Sequence, residues 1–318
     1  MIPQETKIIF FGTPPFAAAI LESLIKAEYN ITAVFTQPDK KVGREGKMKK
    51  SAVKELAEKN GLSVFEPQDL KSEKVREEIA KQQPDVIVVA AYGKIFPKSI
   101  LDIPKYGAIN VHASLLPKFR GASPIQEALL FGEEKTGVTL MLMDEKLDAG
   151  KIICQEEISI KRNDNTLILS QKLAKLAGKI LIENLPLWLS GSIKAKAQDE
   201  KKAIYCRLIK KEEGKINWKE PAEIIFRKWK AYFPWPGIFT FFPSKKGKKR
   251  LKLIEIEAKE NEEAGEIPGK VIKWKNKIAV QTKKGLIVLE KIQLEGKKAV
   301  SAEDFLKGRT DFLGKVLE

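Results

Sequence analysis

Three side chains have the chemical types needed to stabilise a negative oxygen and to move a proton: Asn110, His112 and Asp148. His112 is the only histidine among the 318 residues. It follows Asn110 by two positions, so the two side chains would share one face of a strand. An amide can donate to an oxyanion, an imidazole can transfer a proton, and a carboxylate can hold the imidazole. A purely structural histidine is the alternative, and from these residues alone both interpretations stay open.

The elements around these residues predict an α/β domain. A strand at residues 7–11, an apolar helix at residues 16–26 and a second strand at residues 30–36 form a βαβ unit, and hence a parallel sheet. The continuous apolar run at residues 85–91 is typical of a central parallel strand that is covered on both faces. Because ligands of such sheets bind beyond the carboxyl ends of the strands, we expect the functional site in the loops that follow them.

The turn after the first strand does not indicate a nucleotide. It lacks the Gly-x-Gly-x-x-Gly fingerprint, and the chain has no phosphate-binding loop of the Gly-x-x-x-x-Gly-Lys kind. Thr13 is instead a candidate N-cap for the first helix, and Ser51 for a helix that ends at Asn60. The leucine spacing predicts one long helix over residues 166–189.

The last third of the sequence has the pattern of a small all-β domain. About five short strands with lysine-rich turns over roughly 85 residues are typical of a small β-barrel. Its tryptophans are either barrel core or base-stacking platforms. We therefore predict an α/β protein with a Rossmann-like parallel-sheet catalytic domain at residues 1–190, a linker at residues 191–205, and an OB-like β-barrel at residues 206–318.

The positive charge is concentrated in two places. The net charge is +16, and residues 40–50 hold six Lys or Arg and one Glu. Residues 206–318 hold 27 Lys or Arg and 16 Asp or Glu, so these two regions account for the whole excess. A neutral body with a basic loop and a basic C-terminal domain indicates a polyanionic partner. The alternative is a solvated surface that serves solubility or thermal stability.

The remaining composition predicts a cytoplasmic protein without a metal. No apolar run approaches the roughly 18 residues of a membrane span, and the polar N-terminus shows no secretory signal. Cys154 and Cys206 lie 52 positions apart and fit neither a disulfide framework nor a zinc site. We predict a monomer in a reducing compartment.

Several motifs carry a family resemblance. The stretch N-V-H-A-S-L-L-P-K-F-R-G at residues 110–121, followed by L-D-A-G at residues 147–150, resembles the formyltransferases that use 10-formyltetrahydrofolate. Three further stretches are similar to the methionyl-tRNA formyltransferases within that family: F-G-T-P at residues 11–14, V-F-T-Q-P-D at residues 34–39 and G-K-K-A-V at residues 296–300. The resemblance covers nearly the whole chain. Ala113 stands where the family commonly has glycine, and an alanine there would cost about 1 kcal/mol if the position needed a positive φ.

The resemblance implies transfer of a formyl group to the α-amine of methionyl initiator tRNA, a step in translation initiation. Asn110 and His112 would stabilise the tetrahedral oxyanion. His112 would also pass the proton from the amine to N10 of the folate, while Asp148 orients the imidazole and holds a water.

The resemblance also implies two binding regions. The co-substrate 10-formyltetrahydrofolate would lie along two short segments and against the backbone of residues 142–148. The residues of the two segments are Ser114, Leu115, Leu116, Pro117, Tyr92, Gly93, Lys94, Ile95 and Phe96. The basic loop would enter the tRNA acceptor stem, with Arg44 as its main contact. Its candidate tRNA-binding residues are Lys40, Lys41, Arg44, Lys47, Lys49 and Lys50.

Two alternatives remain from the sequence. The same chemistry could serve another amine acceptor, or hydrolysis of 10-formyltetrahydrofolate, although such enzymes have little need for a basic loop and a basic barrel. The other alternative is a non-catalytic RNA-binding module, against which the set of Asn110, His112 and Asp148 argues.

Overall fold

The computed structural model describes residues 3–42, 47–244, 247–262 and 264–318, with backbone geometry alone for Pro3, Lys41, Val42, Lys47 and Ser244. The chain divides into two compact units. The first contains residues 1–124, 134–160 and 168–207, and the second contains residues 125–133, 161–167 and 208–318. The catalytic domain, linker and barrel predicted at residues 1–190, 191–205 and 206–318 are functional divisions, and they stay a prediction.

The elements that precede residue 208 are strands interspersed with helices, in keeping with the predicted α/β domain. In chain order they are β1 (Lys7–Gly12), α1 (Pro15–Lys26), β2 (Asn30–Phe35), β3 (Lys40–Val42), β4 (Lys47–Lys49), α2 (Ala52–Lys59), β5 (Val64–Phe65), α3 (Glu73–Lys81), β6 (Val86–Ala90), α4 (Lys98–Leu101), β7 (Ala108–His112), β8 (Arg120–Gly121), α5 (Pro124–Phe131), β9 (Lys135–Leu142), β10 (Ile152–Ser159), α6 (Thr166–Leu189) and β11 (Tyr205–Cys206).

The first unit is built on a seven-stranded sheet with the order β10-β9-β7-β6-β1-β2-β5. The five strands from β7 to β5 pair in parallel, which confirms the predicted Rossmann-like core. All five residues of β6 are buried, as expected for a central strand made of valine, isoleucine and alanine. The last two strands are different, because β9 runs antiparallel to β7 and β10 antiparallel to β9.

The two predicted helix caps have different outcomes. Ser51 caps α2, because its hydroxyl accepts a hydrogen bond from the backbone N–H of Lys54. The Thr13 prediction was wrong, because Pro14 occupies the N-cap position of α1 and makes no side-chain cap. The Thr13 hydroxyl instead accepts from the backbone N–H of Gln37 at 3.3 Å, so it joins the first strand–helix turn to the end of β2.

The basic stretch at residues 40–50 was predicted to be a loop, and the part of it that the structure describes differs. Strands β3 and β4 pair antiparallel, with Lys40 opposite Lys49. A short two-stranded ribbon therefore carries Lys40 and Lys49, whose side chains are exposed. The prediction failed because lysines fill the strand positions, so the apolar alternation by which a strand is recognised is absent.

The second unit contains the predicted strands and two further helices. Its elements after residue 207 are α7 (Ala222–Tyr232), β12 (Ile238–Ser244), β13 (Gly247–Lys259), β14 (Val271–Trp274), β15 (Lys277–Gln281), β16 (Leu286–Leu294), β17 (Val300–Ser301) and α8 (Ala302–Lys307). Ser301 caps α8, because its hydroxyl accepts a hydrogen bond from the backbone N–H of Asp304, whereas α7 was not predicted.

These strands form one antiparallel sheet with the order β12-β13-β16-β15-β14, and β17 pairs with β16. The last residues bridge the two edge strands. The backbone N–H of Phe241 in β12 donates to Glu318 at 2.8 Å, and the N–H of Val271 in β14 donates to Lys315 at 2.8 Å. The sheet with this bridging segment fits the predicted small barrel.

Neither a membrane-spanning helix nor a metal-binding cluster is present among the described residues. No helix in that part of the chain is long and apolar enough to span a bilayer. Within the same residues, no group of three or more His, Cys, Asp or Glu side chains is arranged to hold a metal ion.

Candidate active site

Strand β7 carries the two predicted catalytic side chains. It lies between β6 and β9 in the sheet, which fixes its backbone on both sides. Asn110 and His112 are separated by one residue of this strand and so project from the same face. The intervening Val111 is buried against the other face of the sheet. The strand therefore places an amide and an imidazole side by side, as the sequence predicted.

Asp148 reaches these two residues from an unexpected direction. Because β9 is antiparallel to β7, the turn between β9 and β10 starts beside the first residue of β7, where the N–H of Met143 donates to the Ala108 carbonyl at 2.8 Å. The turn then runs back along the strand. Asp148 lies in this turn with a φ of +50°, a backbone conformation that is uncommon for residues other than glycine.

The three predicted catalytic residues meet. The Asn110 amide Nδ2 donates to Asp148 Oδ1 at 3.2 Å, and His112 Nδ1 lies 3.7 Å from Asp148 Oδ2. The same Oδ2 accepts from the backbone N–H of Gly121 at 2.8 Å. His112 is 6% exposed and Asp148 is 9% exposed. The carboxylate therefore has hydrogen bonds from both Asn110 and the loop that follows β7.

A backbone carbonyl holds the imidazole. His112 Nε2 lies 2.9 Å from the carbonyl oxygen of Phe119. A carbonyl oxygen only accepts hydrogen bonds, so Nε2 carries the hydrogen of this contact. In the neutral ring, Nδ1 is then the nitrogen that can take up a proton, and it faces Asp148. The 3.7 Å separation from the carboxylate is longer than a hydrogen bond, so the ring's direct anchor is Phe119 rather than Asp148.

Sequence reasoning could not find the Phe119 carbonyl, because a backbone group has no sequence signal. Phe119 has a φ of +62°, and the loop of which it is part returns towards the end of β7. Ala113, by contrast, has no positive φ. The alanine that replaces the usual glycine therefore carries no backbone strain.

The first predicted folate-binding segment, Ser114 to Pro117, is held by a buried polar network. Ser114 is completely buried, and its carbonyl accepts from the Thr139 hydroxyl at 2.6 Å. Gln155 donates to the Leu116 carbonyl at 2.8 Å and to the Thr139 hydroxyl at 2.8 Å. The Leu116 side chain is buried, whereas Leu115 and Pro117 are partly exposed. The segment therefore offers mainly backbone and the side chains of Leu115 and Pro117 to a ligand.

The second predicted folate-binding segment, Tyr92 to Phe96, mixes buried and open positions. Tyr92 and Phe96 pack into the core, and burial raises the pKa of Tyr92 to about 12, so its phenol stays protonated at neutral pH. Lys94 donates to the Pro67 carbonyl at 2.8 Å, which pins the loop. Gly93 is exposed, and Ile95 is 78% exposed. This end of β6 thus presents an apolar side chain and open backbone.

The predicted tRNA-binding residues are only partly described. Lys40, Lys49 and Lys50 are exposed, and Lys50 pairs with Glu58 at 2.7 Å. Lys41 is a residue of β3 and Lys47 a residue of β4 in the ribbon. Arg44 lies outside the described residues.

The glycine after the Asp148 turn supports a prediction about stability. A Cβ atom on Gly150 would lie 1.7 Å from the Leu142 carbonyl oxygen, so the β9–β10 turn must shift to accept it. We expect Gly150→Ala to lower the free energy of unfolding by about 2 kcal/mol or more and the thermal midpoint by about 4–8 °C. Thermal unfolding followed by circular dichroism measures this shift.

The matched control is Gly191→Ala, where no atom lies within 4 Å of the added Cβ and the only cost comes from the φ of +75°. That cost is about 1 kcal/mol. Equal midpoints for the two variants would contradict the close approach at Gly150.

Nearly the whole chain is similar to known formyltransferases. Residues 6–185 match the Formyl transferase family, and residues 208–310 match the Formyl transferase, C-terminal domain family. A protein of Caldicellulosiruptor saccharolyticus named methionyl-tRNA formyltransferase is 47% identical over 98% of this chain and 99% of its own length. A protein of the same name from Thermodesulfovibrio yellowstonii is 43% identical over 96% of this chain and 97% of its own length.

Solved structures share the fold. An N-formyltransferase of Helicobacter canadensis, solved with folinic acid and dTDP-3-aminofucose, has a TM-score of 0.66 at 21% identity, over 89% of this chain and 98% of that one. HypX of Aquifex aeolicus, solved with tetrahydrofolic acid, has a TM-score of 0.64 at 17% identity, over 94% of this chain. The chain spans about half the length of HypX, 46% in that structure.

Proposed function

Because this chain belongs to the formyl transferase family, we propose that it transfers a formyl group from 10-formyltetrahydrofolate to the α-amine of methionyl initiator tRNA. The product is N-formylmethionyl-tRNA, used in translation initiation. The observation that carries this proposal is the meeting of Asn110, His112 and Asp148 on one face of β7. The near full-length similarity to proteins named methionyl-tRNA formyltransferase favours this acceptor over other amines.

We propose that Asn110 and His112 divide the chemistry between them. The folate supplies the formyl group on its N10. When the amine nitrogen bonds to the formyl carbon, the carbonyl oxygen becomes negative, and the Asn110 amide can donate to it. His112 Nδ1 can take the proton that the amine loses and return it to N10 as the carbon–N10 bond breaks.

Asp148 faces Nδ1, the nitrogen that gains the proton. A carboxylate at 3.7 Å stabilises a transient imidazolium electrostatically. The two hydrogen bonds from Asn110 and Gly121 keep this carboxylate in place. We propose that Asp148 acts on the charged state of His112, while the Phe119 carbonyl orients the ring.

The two open segments beside the site are proposed to hold the folate. The exposed Ile95 side chain and the exposed backbone at Gly93, at the carboxyl end of β6, offer apolar contact and backbone hydrogen-bonding groups to the tetrahydropterin ring system. The buried network of Thr139 and Gln155 holds the Ser114–Pro117 backbone in one arrangement. A ligand bound there meets a preformed surface.

The basic ribbon and the basic second unit are proposed to hold the tRNA. Phosphate contacts from lysine and arginine give affinity that falls with salt and position the stem without reading its sequence. The exposed Lys40 and Lys49 lie opposite each other on β3 and β4. We propose that the ribbon enters the acceptor stem, and that the protein acts as a monomer in the cytoplasm.

One assay tests the proposed function. The purified protein is incubated with 10-formyltetrahydrofolate and methionine-charged initiator or elongator tRNA, and formylmethionine is measured after hydrolysis of the aminoacyl ester. Formylmethionine that forms mainly from initiator tRNA supports the proposal. Formate released without tRNA would instead indicate hydrolysis of the folate, and formylation of a small amine alone would indicate another acceptor.

The ribbon supports a separate prediction. We expect Arg44→Ala to raise the KM for initiator tRNA, to reduce the preference over elongator tRNA, and to reduce the log–log salt slope of tRNA binding by about 1. Folate binding should not change. The control is Lys81→Ala, which removes one exposed positive charge at the end of α3. Equal tRNA KM values for Arg44→Ala and the unmodified protein would exclude this residue from tRNA binding.

A further inference from the structure

Residues 196–206, which we name the crossing segment, contact both active-site loops. Residues 191–205 were predicted to be a linker. Instead, Lys196 bridges to Ile152 at the start of β10. Ile204 donates to the Pro117 carbonyl at 3.1 Å and accepts from the Arg120 N–H at 2.8 Å. Strand β11 then pairs with β8. The crossing segment thus touches the loop after β7 and the turn that carries Asp148.

We propose that Gln198, in this crossing segment, is a positioning residue that fixes Asp148 for formyl transfer. This inference rests on the function proposed above. Gln198 Nε2 donates to the carbonyl oxygen of Asp148 at 2.9 Å and to that of Gly150 at 2.7 Å. One amide group therefore holds two peptide units of the turn, the one that joins Asp148 to Ala149 and the one that joins Gly150 to Lys151.

The orientation of the Gln198 amide is unambiguous. Its Oε1 accepts from Arg120 Nε at 3.1 Å and from Nη2 at 2.9 Å. A guanidinium only donates and backbone carbonyls only accept, so the amide oxygen must face Arg120 and the amide nitrogen must face the turn. Both donors and both acceptor sites of the amide are used.

Arg120 is itself fixed. Its side chain is 0% exposed and pairs with both oxygens of Glu200, at 2.9 Å and 2.7 Å. It also donates to the Tyr205 hydroxyl at 3.1 Å. A bidentate pair holds the guanidinium plane in one orientation. The fixed guanidinium in turn holds the Gln198 amide.

The Asp148 turn needs such support. Asp148 has a φ of +50°, which an L-residue keeps only where its surroundings impose it. The direction of its side chain depends on the backbone of the turn, and Gln198 binds that backbone at the carbonyl of Asp148 and at that of Gly150, two residues further on. Gln198 contacts two backbone carbonyls, Arg120 and the Met141 sulfur, all groups of the protein itself, so we infer that it acts through Asp148 rather than on the substrate.

The test compares Gln198→Met, which keeps length and volume but has no amide, with Gln171→Met, an exposed glutamine of α6. In the formyl-transfer assay we expect Gln198→Met to lower kcat by about 10–100-fold, because small misplacements of catalytic groups have effects of this size. The KM for tRNA should stay within about 2-fold, because the proposed tRNA contacts lie on the ribbon and the second unit and not on this turn. Gln171→Met should match the unmodified protein.

A double-mutant cycle with Asp148→Asn separates positioning from general weakening of the fold. If Gln198 acts through Asp148, its substitution should lower kcat by less than about 3-fold once the carboxylate is gone. A full, additive loss in that background, or a kcat for Gln198→Met within 2-fold of the unmodified protein, would overturn the proposal.

Two further results distinguish failure of this inference from failure of the proposed function and from failure of the variant to fold. If the unmodified protein forms no formylmethionine, the proposed function fails, whatever the variants do. If Gln198→Met does not fold, Glu200→Gln is used in the same cycle, because Glu200 is 68% exposed and touches the site only through Arg120. We expect a smaller loss of kcat, about 3–10-fold, that disappears with Asp148→Asn. An unchanged kcat would contradict the chain of contacts.

Discussion

Asn110→Ala is expected to lower kcat by about 10²–10³-fold, the effect of losing one oxyanion donor in a preorganised site. The loss should fall on kcat, because the amide gains its strongest contact only when the formyl oxygen becomes negative. Single-turnover formyl transfer measures the chemical step, and folate binding measured by fluorescence should stay near normal. Asn110 also donates to Asp148 at 3.2 Å, so the variant loosens the carboxylate as well.

The control for this variant is Asn60→Ala, since Asn60 is an exposed residue at the end of α2 and its amide donates to the Leu56 carbonyl. It should turn over normally. A chemical step in Asn110→Ala within about 3-fold of the unmodified rate would remove the amide from the mechanism, because even one neutral donor to a developing charge is worth more than that.

His112→Gln is expected to lose about 10²–10⁴-fold in kcat, the contribution of a positioned acid–base group. Glutamine is chosen because its amide nitrogen can replace Nε2 as the donor to the Phe119 carbonyl, now 2.9 Å away. It has no counterpart of Nδ1 that can take up a proton. The variant therefore keeps the loop anchored and removes only the proton transfer, which single-turnover formyl transfer will show as a slower chemical step.

His112→Ala provides the second arm of this experiment. It removes the anchor as well as the basic nitrogen, so its kcat should be equal to or lower than that of His112→Gln, and its thermal midpoint should fall further. A His112→Gln variant with near-normal kcat would mean that the imidazole serves only to hold the Phe119 loop.

The sequence predicted the regular elements where one residue period dominates. Helix α6 runs from Thr166 to Leu189 as expected, because its buried leucines recur at helical spacing along its length. Asn110 and His112 were also predictable as a pair, because strand geometry alone puts positions i and i+2 on one face.

The contacts that depend on distant backbone could not be predicted. The hydroxyl of Thr13 accepts a hydrogen bond from the N–H of Gln37 and does not cap its own helix. This contact depends on the pairing of β1 with β2, which brings the ends of the two strands together. Gln198 lies in a polar, lysine-rich stretch without a period, and its partners are carbonyl oxygens about 50 residues away. The sequence pattern does not indicate such contacts between a side chain and distant backbone.

The antiparallel strand beside β7 has a consequence for protein engineering. Two of the three polar groups belong to an ordinary parallel layer that many unrelated proteins possess, but Asp148 arrives on a hairpin added to its edge. Grafting an Asn-x-His pair onto the last parallel strand of another scaffold would reproduce the amide and the imidazole without their carboxylate. A designer would have to transplant the hairpin and the segment that braces it as one module.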